Sequence, residues 1–87
     1  MQSETDQLLR RILKDVLGLQ PGQTDRFTAD TGLFGHLPEL DSMAVAGLLT
    51  EMEDRLEIVI EDDEIDGELL ETYGALLAFA EAKRAPA

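Results

Sequence analysis

Ser42 is the residue in this 87-residue chain whose setting most suggests chemistry. Asp41 before it is a good helix cap, so Ser42 falls in the first turn of the helix that follows. A phosphate carried there would meet the positive helix end and backbone N–H groups that lack helical partners. On local features alone a second reading stays open, in which Ser42 only shares the capping of the helix with Asp41. Hydrolytic use of the hydroxyl is disfavoured. There is no Gly-x-Ser-x-Gly turn, and the one histidine, His36, lies close to Pro38 in a loop-like stretch.

The acidic run Glu61-Asp62-Asp63-Glu64 raises a calcium reading. With Asp62 at the first place of an EF-hand loop, Glu64, Asp66 and Gly67 take the third, fifth and sixth, and Leu69 falls at a hydrophobic place. The closing twelfth place is Tyr73, where a bidentate glutamate is required. A solvated acidic face is the simpler account. The chain has no cysteine, so disulfides, thiolate metal sites and a thiol nucleophile of its own are all absent.

Three periodic segments must position these residues. Leu9, Ile12, Leu13 and Val16, with Leu8 and Leu17 widening the stripe, predict a helix over Glu4 to Leu17. Ser3 is its expected cap, Glu4 and Asp6 suit its positive first turn, and Gly18 is its stop. From Leu19 to Leu40 periodicity is lost among Pro21, Gly22, Gly32, Gly35 and Pro38, with a turn expected near Asp30 or Thr31. The apolar Phe27, Leu33, Phe34, Leu37 and Leu40 are expected to pin this long loop across the helices. A loop of that length is usually functional.

The second helix is expected from Ser42 to about Leu56, with Leu40 packing on Val45 as a staple. Val45, Leu48, Leu49, Met52 and Leu56 form its inward stripe, and Glu51 and Arg55 an i,i+4 pair. Its opposite face, Met43, Ala46, Gly47, Thr50 and Asp54, is small and apolar in the first two turns. A brief helix is expected within Asp62 to Leu70, weakened at Gly67 by about 1 kcal/mol relative to alanine. Thr72 should cap a last helix over Tyr73 to Lys83, with Tyr73, Leu76, Leu77 and Ala80 inward and Phe79 at the edge. The fold class is all-α, a small bundle of three main helices and one short helix with a long first loop. One domain spans 1–87, ordered over about 4–84 with a tail at 85–87.

A hydrophobic fraction of 44% supports a core, which must be aliphatic because aromatics are 5%. Little material is left for a deep enzymatic cleft. Nineteen acids against seven bases give a net charge of -12. Between Glu39 and Glu71 lie thirteen acids and one base, Arg55; the rest of the chain holds six of each. Such a field repels nucleic acid and anionic lipid and attracts basic protein surfaces. No apolar run approaches the roughly 20 residues of a membrane span, and the polar, acidic start is unlike a signal peptide. These features lead to the expectation of a soluble, cytoplasmic protein, monomeric in isolation.

The stretch Leu33-Phe34-Gly35-His36-Leu37-Pro38-Glu39-Leu40-Asp41-Ser42-Met43, followed by an amphipathic helix, resembles the prosthetic-group site of acyl carrier proteins. That family's Asp-Ser-Leu core is matched by Asp41 and Ser42, with Met43 in place of leucine. The likeness in helix order, size and charge extends over the whole chain. It implies a non-catalytic carrier whose Ser42 receives 4'-phosphopantetheine from coenzyme A through a phosphopantetheinyl transferase. The terminal thiol of that arm would hold acyl groups as thioesters, so the reactive sulfur arrives with the cofactor. Asp41 and Met43 would flank the attachment point.

The resemblance further implies docking of basic patches on acyl-activating ligases, acyltransferases or synthases through Met43, Ala46, Gly47, Thr50, Glu53 and Asp54. Carriers of fatty-acid synthesis often have acids two and five residues after the serine, where this chain has Ala44 and Gly47. That departure implies a specialised lipid, polyketide or surface-polymer pathway. The absence of a Gly-Gly-x-Ser form disfavours an aminoacyl or peptidyl carrier. A non-covalent acidic interaction module remains the alternative from another class.

Overall fold

The computed structural model describes residues 3–84; the tail expected at 85–87 lies outside them. Three α-helices, α1 (Glu4–Leu17), α2 (Ser42–Leu56) and α3 (Tyr73–Arg84), surround one aliphatic core. Two 3-10 turns, Thr24–Arg26 and Asp62–Glu64, lie in the connections. Among the described residues there is no strand, only an isolated bridge between Gly32 and Thr72.

The helix ends follow their local chemistry. The Ser3 hydroxyl accepts from the Asp6 N–H at 3.1 Å, and Gly18 takes the left-handed conformation that closes α1. The Asp41 carboxylate accepts from the Ala44 N–H at 2.8 Å, and the Thr72 hydroxyl from the Ala75 N–H at 3.1 Å. α2 ends on Glu57, a non-glycine residue at φ 55, whose N–H bonds the Glu53 carbonyl. The stripes of α1 and α2 meet as expected. Leu9, Leu13, Leu48 and Met52 are fully buried, and Leu40 and the half-buried Val45 both join the core.

The connection before α3 is narrower than the expected helix over Asp62 to Leu70. One 3-10 turn forms at Asp62–Glu64, and turns carry the chain on to α3. A capping box between Glu61 and Glu64 closes that turn. Asp66 then accepts from the N–H groups of Glu68 and Leu69 at 3.1 and 3.0 Å. This local side-chain bonding competes with helix propagation just before Gly67.

The long loop is held by backbone rather than by every apolar residue assigned to it. Phe27, Leu33 and Leu40 are buried and Leu37 is half-buried, but Phe34 is 48% exposed. The N–H groups of Leu33 and Phe34 donate to the carbonyls of Glu71 and Leu70 at 3.0 and 2.9 Å. In return, Tyr73 and Gly74 donate to the carbonyls of Thr31 and Ala29 at 2.8 and 3.0 Å. These four bonds fasten residues 29–34 to 70–74.

A polar node beneath this clamp joins α1, the first 3-10 turn and α3. The Tyr73 hydroxyl donates to the carboxylate and the carbonyl of Asp6. Arg10 pairs with the same carboxylate at 2.8 Å, donates to the Thr24 carbonyl, and lies over the Tyr73 ring at 4.8 Å from its centroid. Phe27 packs its ring 5.7 Å from that of Tyr73. Asp6, read from sequence only as a first-turn acid, is therefore buried and paired.

A Cβ on Gly74 would lie 2.7 Å from the Ala29 carbonyl oxygen, in the clamp itself. Gly74→Ala is expected to cost about 1–3 kcal/mol and to speed amide exchange at Tyr73 and Gly74, measured by denaturation and hydrogen exchange. Burial, reinforced by the bond to Asp6, pushes the Tyr73 phenol above its usual pKa of about 10. The neutral phenol is thus the form that stabilises the fold, fully so below about pH 10. The stability advantage over Tyr73→Phe, about 2 kcal/mol at neutral pH, should shrink as pH rises above about 10. Because Tyr73 is the chain's single tyrosine, its ultraviolet titration reports this group alone.

Candidate functional site

The residues around Ser42 are arranged by the end of the long loop and the start of α2. Asp41 is extended, at φ -98 and ψ -177, so that its carboxylate reaches forward to Ala44 while its carbonyl accepts from Val45 at 3.0 Å. Burial of Leu40 immediately before it fixes where the helix begins. Ser42 follows as the first helical residue, exposed, and its hydroxyl has no protein partner among the described residues. The N–H groups of Ser42 and Met43 likewise donate to no protein acceptor among the described residues. An oxygen nucleophile or phosphate acceptor is therefore presented to solvent at the positive end of a fifteen-residue helix.

An open groove of about 390 Å³ adjoins the serine. Phe34, Val45, Ile65 and Leu70 supply its apolar lining, together with Ser42, Asp66 and Gly67. The exposure of Phe34 thus has a structural correlate, since this ring faces a groove instead of the core. Ile65 and Leu70 carried no site role in the sequence reading, and Asp66 and Gly67 figured only in the disfavoured calcium loop. The signal for Ile65 was an isolated apolar residue within an acidic run. These features fit a phosphodiester-linked arm: an unencumbered hydroxyl, free N–H donors for the phosphate, and apolar surface for the aliphatic part.

Beyond Ser42, Met43, Ala46, Gly47 and Thr50 form one exposed row on α2, with Met43 86% exposed. The Thr50 hydroxyl donates to the Ala46 carbonyl at 2.9 Å, so it is turned onto its own helix. Gly47 has no packing reason to be glycine, since a Cβ there would meet only Val16 Cγ1, at 3.9 Å. Asp54 is exposed farther along α2. Glu53, assigned to the same docking surface, is half-buried, and its carboxylate accepts from the Ile60 N–H at 2.9 Å.

The acidic segment is only partly neutralised from within. Arg55 pairs with Asp15 of α1 at 2.8 Å and with Glu51 at 3.1 Å; the Asp15 hydrogen bond, above all, holds its guanidinium more firmly protonated than usual. Lys83 reaches Glu64 at 2.6 Å, and this bond, aided by the Glu61 N–H, holds the Glu64 carboxyl below its usual range. Among the described residues, no group of three or more His, Asp or Glu side chains is placed to hold a metal ion. The same residues contain no helix long and apolar enough to cross a membrane. His36 is exposed in the loop.

Residues 7–80 match the family described as phosphopantetheine attachment site. The fold is similar to the solution NMR structure of a holo acyl carrier protein from Nitrosomonas europaea, with a TM-score of 0.83 and 40% sequence identity. That likeness covers 93% of this chain and 96% of the other. No curated protein matches the chain. The helix order, the unencumbered serine at the head of α2 and these two matches together place the chain in the acyl carrier protein family, whose cofactor is covalently bound 4'-phosphopantetheine.

Proposed function

We propose that this single-domain protein carries acyl intermediates as thioesters on a 4'-phosphopantetheine arm attached to Ser42 Oγ. The observation that carries the reading is the exposed, unpartnered Ser42 hydroxyl at the first position of α2, beside an apolar groove. The arm supplies the terminal thiol that this cysteine-free chain lacks. Asp41 keeps the helix start rigid and Ser42 Oγ accepts the phosphoryl bond. The Ser42 and Met43 N–H groups face the resulting phosphate. The residues of this chain catalyse no acyl transfer; that chemistry belongs to the partner enzymes.

Met43, Ala46, Gly47, Thr50 and Asp54 make up the face that a phosphopantetheinyl transferase and acyl-handling enzymes engage. Glu53 contributes charge to this region while its carboxylate also braces the turn after α2. Uncompensated acids on α2 and the second 3-10 turn draw basic partner surfaces by long-range attraction. The small apolar row where acids often stand supports a specialised lipid, polyketide or surface-polymer pathway, working in the cytoplasm.

Ser42→Ala is expected to abolish arm loading from coenzyme A by a broad-specificity transferase, read by intact mass, with the circular dichroism of the parent retained. A variant that still gains the arm, or a parent that never does, overturns the assignment. Gly47→Ala should raise stability by about 1 kcal/mol in denaturant titrations, because in mid-helix the added methyl makes only an ordinary contact with Val16. It should also slow loading by the transferase, whereas an unchanged rate would remove Gly47 from the docking face.

A further inference from the structure

Charge on this molecule is sorted by region, and the sorting extends to how the cations are used. Four of the seven bases, Arg10, Arg55, Lys83 and Arg84, make all five ion pairs found among the described residues. Arg11, Lys14 and Arg26 make none, although the chain has nineteen acids. All three fall between residues 7 and 27, where four bases face two acids in a protein of net charge -12.

Two of the unpaired cations line one cleft. Arg10, Arg11 and Lys14 of α1 face Gly22, Thr24 and Asp25 across a space of about 310 Å³. Arg10 is fixed in place by the Asp6 carboxylate, the Thr24 carbonyl and the Tyr73 ring, with 13% of its side chain exposed. Arg11 and Lys14 are exposed and make no ion pair. The cleft is thus a rigid cationic edge with two uncommitted charges. No residue of the Ser42 groove contributes to it.

We propose that this cleft between α1 and the first 3-10 turn docks a carboxylate-rich segment of a partner protein. Arginine and lysine both take carboxylates, and the spacing of Arg11 and Lys14 along one helical turn suits successive acidic side chains. A compact anion is less suited, because Asp25 in the same lining offsets part of the charge that a single centre would feel. The acids of α2 and the second 3-10 turn are damped beyond a Debye length of about 8 Å at physiological salt, so the local sign governs close docking. The carrier then offers two surfaces of opposite sign. Recognition at this one does not depend on whether Ser42 is loaded.

The test titrates the isotopically labelled full chain with a hexaglutamate peptide at low and at physiological salt. Saturable amide shifts are expected at Arg11, Lys14, Gly22, Thr24 and Asp25. Arg11→Gln and Lys14→Gln should each weaken binding about two- to fivefold, the scale of one exposed ion pair. Arg26→Gln, which removes an equal charge outside the cleft lining, should bind as the parent does. Circular dichroism of each variant confirms its fold. Equal weakening by Arg26→Gln, unchanged binding in the two cleft variants, or shifts that never saturate would overturn the proposal. Tighter binding of inorganic phosphate at the same amides would also overturn it, in favour of a small-anion site.

Discussion

The buried carboxylate of Asp6 binds together three parts of the chain that share no local sequence. Through Tyr73 it reaches the start of α3, through Arg10 the first 3-10 turn, and through its own backbone it belongs to α1. A carboxylate in an aliphatic core is costly unless its oxygens are occupied. Here a guanidinium and a phenol both donate to Asp6 Oδ1, and no buried side-chain polar atom is left unsatisfied among the described residues. Directly above, the four backbone bonds between 29–34 and 70–74 keep the long loop on the bundle. The loop in turn delivers Leu40 and Asp41 to the head of α2. The serine's position therefore rests on contacts far from it in sequence.

That support explains how a small molecule can present a reactive position without building a deep cleft. The interior is filled by Leu9, Leu13, Leu33, Leu48, Met52 and Leu76, all fully buried. What remains for a ligand near Ser42 is an open groove bordered by side chains the core does not use, Phe34 and Ile65 among them. A tethered arm suits such a surface, because covalent attachment supplies the high effective concentration that a shallow site lacks. On the proposed function, partner choice is left to charge and to the apolar row on α2.

Much of this was legible beforehand, and the reasons divide by range. Helix extents followed from periodicity and from caps such as Ser3, Asp41 and Thr72, all of which act within a few residues. The serine and its capping aspartate were equally local. The role of Asp6 was not, since its tyrosine partner lies 67 residues away. Phe34 was assigned inward because hydrophobicity says that a side chain avoids water, not which concave surface it lines. The segment from Asp62 to Leu70 looked more helical than it is, because Asp66 spends its carboxylate on its own neighbours' N–H groups. Glu53 counted as surface charge until its bond to the Ile60 N–H was visible.

The pairing of residues 29–34 with 70–74 also has a consequence for synthesis. During translation, α2 and its serine leave the ribosome before the segment that clamps the preceding loop has emerged. Closure of this long-range contact must await the emergence of α3. A nascent chain therefore displays the serine on an unfinished scaffold, and an enzyme that reads the folded shape of the helix head would ignore it until α3 has docked.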